Sequence, residues 1–224
     1  MEMPRMTRRE AMLGATAGGV GLLWPGYAPA APPSLDFSIF RKDSRIGHHR
    51  VRLSTDGDRT IAEIDIEIVV TFAFIPFYRY RHRNREVWAN GRLMELQSET
   101  DDDGTAFKVS AQANGDELVV EGSEGELILP GDIMSTSYWQ ARTVQEDAWF
   151  NTQDGTIARS VVESLAPERI LAGGRNIEAE HYRLVGDIDC DIWYHEERWS
   201  KLRFAAPDGS IIDYVLEPAN SAQS

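Results

Sequence analysis

Apolar and polar residues alternate along most of the chain, in short segments that end at turn-forming residues. Ile64, Ile66 and Ile68 alternate with Asp65 and Glu67, which is the period of two expected of a β-strand with one buried face. Asn-Gly and Asp-Gly pairs supply the positive φ of tight hairpins, and turn signals recur at intervals of roughly ten residues. They lie at residues 55–57, 89–91, 102–104, 114–115, 122–125, 153–155 and 207–209. The pattern predicts an antiparallel β-meander, with one helical turn at residues 132–135.

Opposite charges predict the register of a central hairpin formed by residues 61–72 and 77–88. Side chains that face each other across an antiparallel pair lie on the same face of the sheet. One register sets acidic residues against arginines: Glu67 with Arg81, Asp65 with Arg83, and Glu63 with Arg85. The other face then carries Ile64, Ile66, Ile68 and Val70 against Tyr78, Tyr80, His82 and Asn84, followed by Glu86 and Trp88. We expect this second face to point inward.

The last three predicted strands follow the same logic. Pairing Trp193 with Trp199 sets acid against base: Asp191 with Lys201, and Asp189 with Arg203. The apolar face of the same pair then matches Cys190 with Leu202 and Ile188 with Phe204. The turn at residues 207–209 brings the final strand alongside, with Ile212 beside Phe204, Asp213 beside Arg203 and Tyr214 beside Leu202. We therefore expect Asp189, Asp191, Lys201 and Arg203 on the solvent face.

These two-faced strands indicate the fold class. An antiparallel sheet with one apolar and one charged face must curl or pair with a second sheet to cover its apolar side. The sequence therefore predicts an all-β fold, a strongly curved antiparallel meander that forms a partly closed β-barrel. A two-sheet β-sandwich is the alternative.

The polar residues of the inward face are the candidate ligand site. Tyr80, His82, Asn84 and Glu86 are too polar for a dry core, because buried polar groups need partners, water or a ligand. A solvated cavity would satisfy them, and so would a closed internal hydrogen-bond network or a strand end that reaches solvent. Tyr138 and Trp139 could lie over the mouth of such a cavity, where amphipathic aromatic rings suit sugars or lipid head groups. Packing against the core is the alternative for these two residues.

The outward face offers a second, weaker candidate. Arg79, Arg81, Arg83 and Arg85 alternate along one strand, and guanidinium groups bind carboxylate or phosphate well. The alternative is the cross-strand ladder described above, which uses acidic residues already present. We expect these arginines to form cross-strand ion pairs rather than an anion-binding groove.

Composition excludes several kinds of partner. The chain has 23 Lys+Arg against 36 Asp+Glu, a formal net charge of −13, which argues against nucleic acid or an anionic membrane as partner. Cys190 is the only cysteine, so an intramolecular disulfide cannot form. The sequence leaves the oligomeric state open.

Recognisable catalytic and cofactor motifs are absent. The chain has no nucleophile elbow, phosphate-binding glycine loop or dinucleotide fingerprint. His48, His49, His181 and His195 lack a second ligand at a metal-binding spacing, and residues 101–104 lack the ligand spacing of a calcium loop. We predict no metal site and no cofactor, and we assign no catalytic residue.

The N-terminal segment resembles an export signal. Arg8 and Arg9 precede a Gly/Ala-rich apolar run, and Ala28-Pro29-Ala30 supplies small residues for cleavage after Ala30. A chance pair of arginines is the alternative. The apolar run is too short and too glycine-rich to span a membrane, so we expect no stable membrane insertion after signal removal. The predicted organisation is a twin-arginine signal at residues 1–30, a Pro-rich lead-in at 31–36, one β-domain at 37–217 and a polar tail at 218–224, with the protein periplasmic or secreted.

Six segments spread over nearly the whole chain beyond the signal carry a family resemblance. They are residues 45–49 (RIGHH), 78–88 (YRYRHRNREVW), 101–104 (DDDG), 137–139 (SYW), 151–155 (NTQDG) and 191–194 (DIWY). In these segments the chain resembles an uncharacterised exported bacterial family, domain of unknown function family 6134. The resemblance implies an exported β-rich protein with no established chemistry, and it carries over no catalytic residue.

The sequence is compatible with three classes of function. The leading hypothesis is a periplasmic protein that binds an amphipathic ligand, a saccharide or lipid moiety, in its curved sheet. The second is a carbohydrate-active enzyme of the cell envelope that uses His82 with Tyr80 or Glu86 for proton transfer. The third is a structural β-domain that binds a partner through an exposed sheet edge.

Overall fold

The computed structural model describes residues 34–72 and 75–219, almost all of them in β-strands and turns. The predicted signal segment lies outside the described residues. The strands are β1 Leu35–Arg41, β2 Ser44–Asp56, β3 Arg59–Phe72, β4 Ile75–Ala89, β5 Arg92–Asp102, β6 Thr105–Asn114, β7 Glu117–Gly122, β8 Gly125–Pro130, β9 Met134–Ser135, β10 Ala148–Phe150, β11 Ile157–Ser164, β12 Glu168–Ala172, β13 Arg175–Gly186, β14 Cys190–His195, β15 Arg198–Ala205 and β16 Ile211–Leu216. Among the described residues, no helix has the length and apolar character needed to cross a membrane.

All sixteen strands belong to one curved sheet. Its order is β8-β7-β6-β5-β4-β3-β2-β1-β16-β15-β14-β13-β11-β10-β9, with β12 paired to β13. Neighbouring strands are antiparallel except β9 and β10, which run parallel. The sheet begins at β8 and ends at β9, so strand pairing does not close it. This confirms the predicted all-β, strongly curved and partly closed architecture.

The register of the β3–β4 hairpin is the predicted one. Glu67 faces Arg81, Asp65 faces Arg83 and Glu63 faces Arg85. The Arg81 guanidinium lies 3.3 Å from the Glu67 carboxylate, and that of Arg83 lies 3.6 Å from Asp65. Because exposed pairs of this kind contribute only about 0–1 kcal/mol each, they serve mainly to fix the register.

The predicted pairing of β14 with β15 is wrong by two residues. Asp191 faces Arg203 rather than Lys201, and a bulge follows Trp193. The turn between these strands is tight, because Glu196 and Glu197 both adopt positive φ, and no Gly or Asn marks it in the sequence. The bulge places Trp199 on the inner face of the sheet. Trp193 lies on the opposite face and is still buried, because the His181 ring stacks on its indole and the Lys201 ammonium lies 4.5 Å above it.

Two other local expectations have definite outcomes. The pairing of β15 with β16 is as predicted, with Arg203 facing Asp213. The helical turn predicted at residues 132–135 is wrong, because Met134 and Ser135 pair with β10 as strand β9. A short 3-10 helix forms instead at Ala141–Gln145.

One continuous apolar core lies on the inner face of the sheet. Its largest fully buried side chains come from distant parts of the chain: Phe37, Leu93, Leu96, Leu118, Trp149, Phe150, Ile192, Tyr194 and Trp199. The core therefore joins the first strand to the last and covers the apolar face that the alternating pattern requires.

The turn at residues 151–156 folds across the inside of the sheet and meets the β7–β8 hairpin. The amide of Ser123 donates to the carbonyl of Asp154 at 2.7 Å. Ser98 Oγ donates to the carbonyl of Thr152. Gly122 and Gly155 pack backbone against backbone, since a Cβ built on Gly122 would lie 2.5 Å from the Asp154 carbonyl oxygen. This turn therefore occupies the gap between the two ends of the sheet.

We expect Gly122→Ala to lower the free energy of unfolding by about 3 kcal/mol, because the added methyl group meets backbone that cannot move aside. Gly125 in the same hairpin is the control, since its φ is +93° and a Cβ there meets nothing within 4 Å. Gly125→Ala should cost only the backbone strain of about 1–2 kcal/mol. Thermal melts of the two variants measure the difference. Equal melting temperatures would contradict the close packing at Gly122.

Candidate functional site

A cavity of about 760 Å³ lies inside the curved sheet. It is lined by the inner faces of β2, β3, β4 and β14 to β16, together with residues 136–138 and the 151–158 segment. Among the predicted site residues, Tyr80, His82, Asn84 and Tyr138 line it. Glu86 and Trp139 do not belong to the lining and lie in a network described below.

One wall of the cavity carries a row of polar groups on β4 and the 151–156 turn. His82 is 2% exposed, and its Nδ1 lies 2.8 Å from Thr100 Oγ1. Its Nε2 lies 3.4 Å from Thr152 Oγ1. Tyr80 donates its hydroxyl proton to Gln153 Oε1 at 3.1 Å. The 151–156 turn thus holds the polar side chains of β4 in place.

Glu86 accepts five hydrogen bonds beside this cavity and is 0% exposed. Its carboxylate accepts hydrogen bonds from two indoles, two hydroxyls and one amide: Trp88 Nε1 at 2.7 Å, Trp139 Nε1 at 3.0 Å, Ser135 Oγ at 2.9 Å, Ser137 Oγ at 3.2 Å and Asn84 Nδ2 at 2.9 Å. The carboxylate therefore ties β4 to the segment around β9. Trp139 packs edge-on against Trp88, which matches the core-packing alternative for that residue.

The rest of the lining is apolar and aromatic. Ile64, Ile66 and Ile68 lie on β3 directly beside the polar row, as the cross-strand partners of Asn84, His82 and Tyr80. The last two strands contribute Trp199, Leu202, Phe204 and Tyr214. Trp199 is fully buried and packs at 5.0 Å from the His49 ring and 5.9 Å from Tyr138. The cavity is therefore amphipathic, with a row of polar groups on β4 bordered by apolar and aromatic side chains.

Tyr138 lines the cavity from the segment between β9 and the 3-10 helix. Its backbone has φ +61°, an uncommon conformation for a residue other than glycine, and its carbonyl accepts a hydrogen bond from the hydroxyl of Tyr194 at 2.7 Å. The ring lines the cavity. Burial raises the pKa of the Tyr138 hydroxyl well above its ordinary value, so Tyr138 presents a neutral phenol.

Two polar atoms of the lining have no hydrogen-bond partner among the described residues. They are Asn84 Oδ1 and His49 Nε2, on side chains that belong to residues 4% and 3% exposed. The orientation of the Asn84 amide follows from its neighbour, because the Glu86 carboxylate needs a donor and so takes Nδ2. Asn84 therefore offers an unused acceptor to the cavity.

The interior of the cavity is electrically neutral. Burial lowers the pKa of His49 to about 3 and that of His82 to about 4, so both imidazoles are uncharged at neutral pH. Burial also raises the pKa of the Cys190 thiol, which lines the cavity, to about 12. Cys190 is therefore a small apolar group here and not a nucleophile.

Sequence reasoning missed three contributors to this site: His49, Trp199 and Thr152. Extending the alternation argument to β2 would have found His49, because it faces Ile66 across the β2–β3 pair. Trp199 was missed because the bulge in β14 changes the register and so the face on which Trp199 lies. No local signal marks Thr152, since it reaches His82 through the long-range packing of a turn.

The arginine-rich outer face forms a second groove of about 890 Å³, which shares Ile64 and Asn84 with the lining of the cavity. Its lining mixes both signs of charge: Arg52, Arg83, Arg85 and Lys108 with Glu63, Asp65, Glu99 and Glu121. Lys108 lies 2.8 Å from Glu99, and Arg83 pairs with Asp65 as described above. Arg52 and Arg85 both face Glu63 across the β2–β3 and β3–β4 pairs, so each of the four cations has an acidic neighbour within the sheet.

Comparison with solved structures supports the fold. The chain matches the crystal structure of a beta-barrel-like protein of domain of unknown function DUF1849 from Brucella abortus, with a TM-score of 0.58 and 9% sequence identity. The match covers 83% of this chain and 95% of that chain. At this identity the likeness concerns the fold alone. A comparison with curated proteins yields no match.

Family assignment rests on the sequence. The resembling segments run from residue 45 to residue 194, and the family model extends over the whole β-domain, from β1 to the end of β16. The chain belongs to the domain of unknown function family DUF6134, whose model matches residues 37–217.

Proposed function

We propose that this protein binds an amphipathic small molecule, a saccharide or a lipid moiety, in the cavity of its curved sheet. The observation that carries the proposal is the mixed lining: polar atoms of Tyr80, His82 and Asn84 share the cavity with apolar and aromatic side chains that include Ile66 and Trp199. The volume of about 760 Å³ lies within the range of small-molecule sites, roughly 300–1,000 Å³. Unpartnered Asn84 Oδ1 and His49 Nε2 provide further support, since buried polar atoms of this kind are satisfied by water or a ligand.

The experiment is native mass spectrometry of the protein purified without detergent from its native host. We expect a co-purified small molecule on the wild-type chain. A double variant, Ile66→Trp/Ile68→Trp, places two indoles in the cavity from the β3 wall and should lose the adduct. Val69→Trp, whose position alternates to the outer face of the same strand, should keep it. A wild-type spectrum without any adduct, together with no binding of added amphiphiles, would refute the proposal.

Export by the twin-arginine pathway is the second part of the proposal and is supported by the order of Arg8-Arg9, the apolar run and Ala28-Pro29-Ala30. We expect the mature protein to begin at Ala31 or within a few residues of it. Arg8→Lys/Arg9→Lys should trap precursor in the cytoplasm, which cell fractionation and N-terminal sequencing would show. Normal export of this variant would contradict the twin-arginine assignment.

The enzyme hypothesis has less support from the geometry. Glu86 is sealed by five donors and lies outside the cavity lining, so it offers no free oxygen for proton transfer to a ligand. His82 is neutral, with Nδ1 engaged by Thr100, and burial raises the pKa of Tyr80. The polar wall is therefore better suited to recognition than to acid–base chemistry near neutral pH.

A further inference from the structure

The charged residues in the lining of the cavity are all acidic. Its described lining contains Glu124, Asp187 and Asp189 and includes no lysine or arginine. These three residues are exposed; Glu124 lies in the β7–β8 turn, and Asp187 and Asp189 flank the lining residue Ile188 between β13 and β14. Asp189 is neutralised by Arg183 at 2.8 Å. Glu124 and Asp187 have no salt bridge to a described basic side chain.

A further carboxylate contacts two residues of the cavity lining. Asp102 accepts the hydroxyl proton of Tyr78 at 2.8 Å and lies 3.4 Å from Gln153 Nε2. Both Tyr78 and Gln153 line the cavity. A ligand that enters past these residues therefore meets a negative potential, which favours cations and repels anions.

The interior adds a second, independent criterion. Asn84 Oδ1 is an acceptor whose own Nδ2 is committed to Glu86, so only a ligand or water that donates a proton can satisfy it. A carboxylate or phosphate head group is acceptor-only in its fully ionised form, and it would set oxygen against oxygen there. A hydroxyl, amide N–H or ammonium group would complete the hydrogen bond.

Building on the proposed ligand-binding function, we infer that the cavity selects amphiphiles whose head group is uncharged or cationic and carries an O–H or N–H donor, and that it discriminates against anionic amphiphiles such as fatty acids. The neutral imidazoles of His49 and His82 are consistent with this selection, because they supply no positive charge inside the cavity. The polar groups of β4 contact the donor of the ligand head group, and the isoleucine and aromatic side chains contact its hydrocarbon part.

The test compares three amphiphiles with the same ten-carbon chain: decylammonium, decanol and decanoate. Each is titrated as a competitor against N-phenyl-1-naphthylamine, an uncharged fluorescent probe, bound to the full mature chain. The titrations are run at low salt and a pH of about 7.5, where the amine and the acid are both ionised. We expect decylammonium and decanol to displace the probe at concentrations about tenfold or more below that needed for decanoate, equivalent to about 1.4 kcal/mol. Equal potency of all three would overturn the selectivity while leaving the ligand-binding proposal intact. Failure of the fluorescent probe and all three amphiphiles to bind would refute both.

A matched pair of charge reversals locates the origin of the selectivity. Glu124→Lys changes the charge beside the cavity, and Glu117→Lys makes the same change at an exposed residue of β7 that does not line it. Glu124→Lys should reduce the ratio of the displacing concentration of decanoate to that of decylammonium by about threefold or more. Added salt should weaken this effect, because it screens the charge. The second should leave the ratio unchanged. A ratio that responds equally to both variants would show that net charge, rather than the cavity, sets the preference.

Discussion

Replacing Glu86 with alanine should unfold or nearly unfold this protein. The substitution leaves five donors without their acceptor, and each unsatisfied buried group costs about 1–3 kcal/mol. Even if water reaches some of them, we expect a loss of at least about 5 kcal/mol, which is comparable with the whole stability of an ordinary domain. In a chain of this size that corresponds to a fall in melting temperature of roughly 10–20 °C.

Two comparisons make this prediction specific to the hydrogen-bond network. Glu86→Gln keeps the shape of the side chain but turns one acceptor into a donor, so it should be intermediate in stability. Glu63→Ala removes an exposed glutamate on the outer face of β3 and should change the stability by less than about 0.5–1 kcal/mol. Thermal and urea unfolding measure all three. A Glu86→Ala variant that melts within a few degrees of the wild type would show that the five contacts contribute little.

Mild acid should destabilise the folded protein well before its carboxylates titrate. The folded pKa values of His49 and His82, about 3 and 4, lie below the unfolded value of about 6.5. Between these limits the unfolded chain binds protons that the folded chain does not, so the free energy of unfolding falls as the pH falls. Each histidine contributes about 1.4 kcal/mol per pH unit, or roughly 3–5 kcal/mol for the pair between pH 6.5 and pH 4.5.

Substitution of each imidazole by a neutral amide isolates this effect. His82→Asn keeps a hydrogen-bonding atom near the Nδ1 position and should reduce the pH slope by about half, and adding His49→Gln should remove most of the rest. Desolvation raises the pKa of Asp65, but the hydrogen bonds and charges of His48 and Arg83 together outweigh it and leave the pKa lowered, so the stabilising effect of Asp65 is lost only at lower pH. Chemical unfolding at several pH values measures the slopes. An unchanged slope in the double variant would mean that these imidazoles are not buried in their neutral form.

The local pattern of the sequence was enough to predict the fold class and the best-defined hairpin. Alternation between Ile64 and Ile68 assigned the faces of β3, and the opposing charges of Asp65 and Arg83 fixed its register against β4. The same argument failed for β14 and β15, because a bulge shifts the register by an amount that alternation does not reveal. Charge pairing alone could not distinguish two registers that differ by two residues, since both set acid against base.

The candidate site was only partly predictable for a similar reason. Alternation along β4 placed Tyr80, His82, Asn84 and Glu86 on the inward face, yet it could not say that the first three line a cavity while Glu86 closes a hydrogen-bond network. That distinction depends on Ser135, Ser137 and Trp139, which approach from a distant part of the chain. It also depends on the 151–156 turn, whose position is set by packing rather than by its own sequence.

A titration of the mature protein with N-phenyl-1-naphthylamine tests directly whether the curved sheet holds a ligand site. A solvated amphipathic cavity predicts saturable binding of one probe molecule per chain, with enhanced and blue-shifted fluorescence. The Ile66→Trp/Ile68→Trp variant should lose this binding while circular dichroism shows the same β-sheet content, and Val69→Trp should bind like the wild type. A wild-type protein that gives no saturable signal, or a double variant that binds as well as the wild type, would contradict a ligand site inside the curved sheet.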